Sequence, residues 1–228
     1  VLTRTVADRQ GTVLGREHFV FLKAAQVVSD TRLAPGEKRP ESFSFPIHPA
    51  DSYREFVGDG VAMLFSRALP ASVRGEALIG QCVERMRDEY ERRWRCDTSP
   101  YPGVLEALQE LRARGVRLAV LSNKPQLFSQ KCAIEFFPPG TFELVLGQRV
   151  GVPRKPDPAG AREIAAALGL DPVQCAFIGD SSIDMETALR AGMVPIGVEW
   201  GFRARVELES SGARRVIAHP RELLELVS

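Results

Sequence analysis

Two carboxylates, Asp180 and Asp184, stand four residues apart behind an apolar run, Cys175 to Ile178, that stops at Gly179. Met185, Ala188 and Leu189 follow at helical spacing. The pattern reads as a buried strand that ends in a tight turn and displays acidic groups where a parallel sheet opens its ligand crevice. Oxygen ligands at such a strand tip suit a hard cation, Mg²⁺ above all. The same residues also serve a plainer purpose, because Asp180, Ser181 or Ser182 can cap the helix that follows. Both readings stay open on these residues alone.

Two further strand ends carry chemistry. Leu118 to Leu121 runs into Ser122-Asn123-Lys124-Pro125. A hydroxyl and an amide just ahead of a helix N-terminus make a phosphate cradle, since hydroxyl and backbone N–H groups donate to the anion and the helix dipole favours it; the alternative is a simple N-cap. Next, Val152-Pro153-Arg154-Lys155-Pro156-Asp157-Pro158 holds a lysine between prolines that stiffen the loop. A lysine fixed this way can neutralise a phosphoryl oxygen and a carboxylate together, whereas an isolated lysine in a proline-rich turn is ordinarily a surface residue.

The elements that must position these groups follow in chain order. Residues 1–7 read as a weak strand, because Thr3, Arg4 and Thr5 spoil a fully buried one. Residues 17–28 are helix-like, and 30–50 form a Pro-, Gly- and Ser-rich loop. From Asp51 to Cys96 the spacing is helical, broken at Gly58-Asp59-Gly60 and Leu69-Pro70. Pro100 and Pro102 mark a boundary. Beyond it helices at 104–114, 125–135, 158–168 and 183–191 alternate with strands at 116–121, 142–146, 175–178 and 194–198, with a last helix from Pro220. Repeated βα units of this size predict an α/β fold: a Rossmann-like parallel sheet with helices on both faces, plus a small helical cap. The expected domains are 1–14 as first strand and motif, 15–99 as cap, and 100–228 as core.

Composition narrows the function classes. The 228 residues carry a net charge of +1, with no basic stripe interleaved with aromatics, which argues against nucleic acid. No apolar run is long enough to span a membrane and no signal-peptide pattern opens the chain. Cys82, Cys96, Cys132 and Cys175 form no CxxC pair, so a reducing cytoplasm is the expected compartment. His18, His48 and His219 form no ligand-spaced set and read as surface or loop residues.

A hydroxyl, a lysine and a carboxylate at successive strand ends are more specific together than apart. In this order they resemble the haloacid dehalogenase-like phosphohydrolases, and the chain from Tyr101 to Val227 is most similar to the phosphoglycolate phosphatase branch. The matching stretches are 101–108, 121–125, 154–158, 179–185 and Gly192 through Arg203. The helical region around Phe56 to Gly60 and Arg67 resembles that branch's cap. The resemblance implies a Mg²⁺-dependent phosphatase that hydrolyses a small phosphorylated metabolite through an aspartyl-phosphate. It implies Asp8 as nucleophile and metal ligand, Asp180 as metal ligand, Asp184 as a metal-shell or lysine-orienting carboxylate, Thr12, Ser122 and Asn123 as phosphate-binding residues, and Lys155 as the charge-stabilising cation. By the same analogy strand one lies beside the strand that ends at Asp180.

The family's first motif is DxDGT, whereas this chain has Asp8-Arg9-Gln10-Gly11-Thr12. Gln10 stands at the acid–base position, and an amide can neither protonate a leaving oxygen nor take a proton from water; general acid–base catalysis contributes roughly 10²–10⁴ in rate. Three readings of residues 1–50 are open: a true but altered first motif, a replaced N-terminus whose match is accidental, or a variant with its own chemistry. The expected function is therefore an impaired phosphatase, and the alternative is a catalytically inactive relative that binds a phosphorylated ligand or a partner. Other enzymes of the superfamily, such as a sugar-phosphate mutase, need the same acid–base residue. Arg67 and the Gly58-Asp59-Gly60 turn are candidates for substrate selectivity, with a solvated helix arginine as the plainer reading of Arg67.

Overall fold

The structure, a computed structural model, describes residues 2–7, 13–16, 48–49, 52–56, 60–96 and 98–227. Contacts divide the chain into two units, Thr3–Thr98 and, with the first two residues, Ser99–Ser228. Asp8, Gln10 and Thr12, the helix expected at 17–28, and all of the 30–50 loop but His48 and Pro49 lie outside the described residues.

In the N-terminal unit, β1 (Leu2–Ala7) and β2 (Val13–Arg16) pair antiparallel, with Thr5 opposite Arg16 and Val6 opposite Gly15. Three helices follow: α1 (Ser52–Phe56), α2 (Val61–Ala68) and α3 (Glu76–Arg93). Gly60 breaks α1 from α2 with φ of 95°, a conformation that costs glycine little. Tyr53, Leu64, Phe65, Leu69 and Cys82 form this unit's core, with Phe56, Ile79 and Met86 packed against it. His48 departs from the surface role expected of it. Its Nε2 lies 2.8 Å from the Ala68 carbonyl, and its ring meets Tyr53 and Phe56 edge-on, so a ring with one polar handle closes the cluster. Arg67 is likewise not simply solvated: its Nη1 donates to the Phe56 carbonyl at 3.2 Å and satisfies an end of α1 that the short helix leaves open.

The second unit alternates strand and helix. After β3 (Thr98–Pro100) come α4 (Val104–Ala113), β4 (Ala119–Pro125), α5 (Gln126–Phe136), β5 (Leu144–Gln148), α6 (Ala159–Ala167), β6 (Ala176–Gly179), α7 (Ser182–Ala191), β7 (Val194–Val198), α8 (Arg205–Ser210) and β8 (Arg215–Ile217). The last helix, expected from Pro220, is a 3-10 helix over Pro220–Val227. The Glu222 carboxylate accepts from the N–H groups of Ala218 and His219 and fixes its first turn. β8 and α8 escape the sequence pattern because they are three and six residues long and rich in charge.

Every ladder in this unit is parallel: β4 with β5, β6 with β7, and β7 with β8. Ala107 and Leu111 of α4 pack on Ile196, Val198, Ile217 and Leu223. On α6 and α7, Ala161, Ala165, Ala188 and Ala191 meet in a seam of small side chains against Met193, which lets these elements pack closely. Among the described residues, β4 and β6 each have a ladder on one edge only. β6 is correspondingly open, with Ile178 37% exposed, where a central strand of such a sheet would be covered. No helix among the described residues is long and apolar enough to cross a membrane. All four cysteines are free.

Candidate active site

The site residues of the second unit converge at the carboxyl ends of β4 and β6. At β4 the ladder to β5 slips: Leu121 faces Leu146, yet Pro125 faces Gln148. Four positions on one strand are spanned by two on the other, so Ser122, Asn123 and Lys124 bulge out of the pairing and their side chains are re-aimed. Gln126 repairs the ladder that the bulge leaves open. Its Nε2 donates to the Val145 carbonyl at 2.8 Å, and its Oε1 accepts from the Gly147 N–H at 2.6 Å. Gly147 is required there, because a Cβ would lie 2.6 Å from the Lys124 carbonyl oxygen and from the Gln126 Cα. Ser122 Oγ accepts from the Lys124 N–H at 3.1 Å, and Ser122, Asn123, Gln148 and Lys155 line a crevice at this strand end.

Asn123 uses its amide on the lysine loop. Nδ2 donates to the Lys155 carbonyl at 3.1 Å, and Oδ1 accepts from the Lys155 N–H at 2.9 Å. Lys155 precedes a cis proline, Pro156, and its Nζ reaches Asp184 Oδ1 at 2.6 Å, 5.7 Å from the centre of the Phe177 ring.

Asp184 sits in the first turn of α7, where the positive end of the helix dipole favours a carboxylate. Ser181 caps that helix by accepting from the Asp184 N–H, and its hydroxyl donates to Asp184 Oδ2 at 2.7 Å. The Asp180 N–H donates to the same oxygen at 3.2 Å. Burial alone would raise the Asp184 pKa, but the Lys155 charge and these hydrogen bonds hold it below the usual carboxylate range. Gly179 makes room, since a Cβ there would overlap the Asp184 side chain.

Asp180 is the opposite case. Burial and the neighbouring Asp184 charge push its pKa up, against the pull of the Phe202 N–H and of Lys155. The Phe202 N–H donates to Oδ2 at 2.9 Å, and among the described residues Oδ1 accepts no hydrogen bond. Gly201 lets the loop after β7 reach Asp180, because a Cβ there would overlap the aspartate side chain. Trp200-Gly201-Phe202 stood out in the sequence as part of a stretch that matches the family, without a role assigned to it.

The donor chemistry of the two carboxylates differs. Both Asp184 oxygens are engaged by protein donors, so it orients Lys155. Asp180 is a buried oxygen donor whose pKa is raised by burial and by the Asp184 charge, and oxygen donors of this kind suit a hard cation. Among the described residues no cluster of three or more His, Cys, Asp or Glu side chains is poised to hold a metal. Asp8, the further oxygen donor that the resemblance implies, lies outside them.

A family profile described as "haloacid dehalogenase-like hydrolase" matches residues 5–192. The chain belongs to the haloacid dehalogenase-like hydrolase family. Phosphoglycolate phosphatase of Pseudomonas putida is 30% identical over 178 residues, covering 76% of this chain and 65% of that protein. The enzyme of the same name from Cereibacter sphaeroides is 37% identical over 142 residues, 60% of this chain and 63% of that one. The matches thus span just under two thirds of the length of these two relatives. A crystal structure of a candidate phosphoglycolate phosphatase from Lactobacillus delbrueckii superposes with a TM-score of 0.78 at 28% identity, covering 91% of this chain and 89% of that one. Within the family the chain resembles the phosphoglycolate phosphatase branch, and the parallel α/β core agrees with that fold.

Proposed function

We propose that this chain is a phosphoric monoester hydrolase acting on a small phosphorylated metabolite of the phosphoglycolate type. The observation that carries the reading is the Lys155–Asp184 pair at 2.6 Å beside the Ser122 strand end and the buried Asp180. A lysine with a fixed direction offers its remaining donors to a phosphoryl group, and Ser122 offers a hydroxyl to the same anion.

In this reading Asp8 supplies the attacking carboxylate, as the resemblance implies. A family match that begins at residue 5, and so takes in Asp8 and Gln10, supports that role. The Asp8 carboxylate attacks phosphorus as the bond to the leaving oxygen breaks, and Lys155 and Ser122 stabilise the charge on the phosphoryl oxygens. Thr12 belongs to the expected phosphate-binding set. Asp8 and Asp180 would hold Mg²⁺, which when bound supplies charge neutralisation at the phosphate. Gln10 cannot exchange a proton, so the leaving oxygen takes its proton from water; a second water then attacks the aspartyl-phosphate, releasing phosphate and regenerating the Asp8 carboxylate without a protein base, and the rate is low.

Gln10 also favours a second reading, a binder of phosphorylated ligands that does not turn over. Phosphate release from phosphoglycolate and from an activated aryl phosphate, each with Mg²⁺ and with chelator, separates the two. Multiple turnovers that stop on chelation support the hydrolase. Saturable phosphate binding with no turnover on either substrate leaves only the binder.

A further inference from the structure

We propose that Asn123 is a positioning residue for Lys155 and acts on the reaction through that lysine, not as a ligand of the phosphate. The inference rests on the hydrolase reading and departs from the role that residue type alone suggests. A side-chain amide at a strand tip before a helix looks like an anion donor. Here the amide closes a two-bond pair on one peptide, with one Nδ2 hydrogen on the Lys155 carbonyl at 3.1 Å and the Lys155 N–H on Oδ1 at 2.9 Å.

Two such bonds fix the backbone of Lys155 in position and orientation, as a ladder pair would. The far end of the same residue is fixed by Asp184 at 2.6 Å. Lys155 is therefore held at both ends, its peptide by β4 and its ammonium by α7. The bulge at Ser122 to Lys124 is what frees Asn123 from the β5 ladder and lets it face the loop. Ser122, one residue earlier in the same bulge, lines the crevice with Lys155. The clamp thus ties the position of the cation to that of the hydroxyl, and a shift of about 1 Å in such a group can cost on the order of a hundredfold in rate.

The test compares Asn123→Ala and Asn123→Asp in the full chain and in a Lys155→Ala background. Amide hydrogen exchange reads the clamp without reference to activity. The Lys155 N–H should lose protection in Asn123→Ala and keep more of it in Asn123→Asp, which retains an acceptor. Turnover reads the role. Asn123→Ala should lower kcat about tenfold or more and leave KM within about threefold. It should have no further effect once Lys155 is alanine, because residues that act as one unit are not additive. Unchanged exchange at Lys155 overturns the clamp. A rise in KM at constant kcat, or an equal loss in the Lys155→Ala background, overturns the positioning role and makes Asn123 a phosphate ligand. A parent that releases no phosphate overturns the hydrolase reading and the role in turnover together, and the exchange result then shows whether the clamp itself stands.

Discussion

Lys155 Nζ and Asp184 Oδ1 lie 2.6 Å apart with side chains only 14% and 8% exposed. A pair this dry is not a surface ion pair, whose contribution is close to nothing. Each partner is committed: the lysine by the Asn123 clamp on its backbone, the aspartate by Ser181 and by the Asp180 N–H. Burying two charges costs more than their attraction returns unless the remaining donors and acceptors are satisfied. Such an arrangement is better explained by the cation it aims than by the stability it adds.

Removing one partner should therefore hurt more than removing both charges. Lys155→Met leaves Asp184 buried and uncompensated, and should cost about 3 kcal/mol in denaturant unfolding. The double variant Lys155→Met with Asp184→Asn should recover part of that loss while phosphate release stays down by ~10²–10³. Equal stability of the single variant and the parent would mean that Asp184 is neutralised some other way.

The two aspartates respond to pH with opposite sign. The folded pKa of Asp184 is lowered, so its contribution to stability is present above the unfolded carboxylate value of about 3.9 and is lost as pH falls through the lower folded value. The folded pKa of Asp180 is raised, so its contribution is complete below the unfolded value and is lost as pH rises through the higher folded value. At neutral pH without metal, Asp180 is then a liability. Asp180→Asn keeps an acceptor for the Phe202 N–H and should melt higher than the parent at pH 7, an advantage that shrinks as pH approaches 4. Mg²⁺ should raise the melting temperature of the parent by mass action and leave the variant unmoved. A variant that melts lower at pH 7 in chelator would show that Asp180 is already compensated within the protein.

Much of this site was legible in the sequence because two of its chemical groups follow apolar runs that end abruptly. Ser122 and Asp180 were read that way and Lys155 from the prolines around it, and the βα rhythm behind them gave the parallel core. What the spacing could not show was which hydrogen bonds each polar group makes. The Asn123 amide bonds a peptide 32 residues on, and Asp184, expected as a metal-shell or lysine-orienting carboxylate, bonds Lys155 and Ser181. His48 and Arg67 were missed for a related reason, since their partners are a backbone carbonyl and aromatic rings that no local pattern names. The short β8 and the Gln126 repair of the β5 ladder depend on strand register, which forms only when the sheet does.

Two glycines test how tightly the carboxylates are packed. Gly201→Ala places a Cβ into the Asp180 side chain, and Gly179→Ala places one into Asp184. Overpacking of this kind costs about 1–3 kcal/mol. In both variants phosphate release should fall by more than the stability loss explains, because an aspartate is forced out of line. Gly75, with nothing near a Cβ, is the control: Gly75→Ala should leave phosphate release unchanged. A folded Gly201→Ala protein with the parent's activity and Mg²⁺ affinity would remove Asp180 from the site.

The most informative substitution lies at Gln10. If Asp8-Arg9-Gln10-Gly11-Thr12 is a first motif that has lost its acid, Gln10→Asp restores a group able to protonate the leaving oxygen and then to activate water. Turnover should rise by ~10²–10⁴ in the presence of Mg²⁺. The gain should be larger for phosphoglycolate than for an aryl phosphate, whose leaving oxygen needs less protonation. Asp8→Asn in the restored chain should abolish the gain, since no nucleophile then remains. A Gln10→Asp protein that folds, binds phosphate and still fails on both substrates would mean that the match at residues 8–12 is accidental, and the site built by Ser122, Lys155 and Asp180 would then serve binding alone.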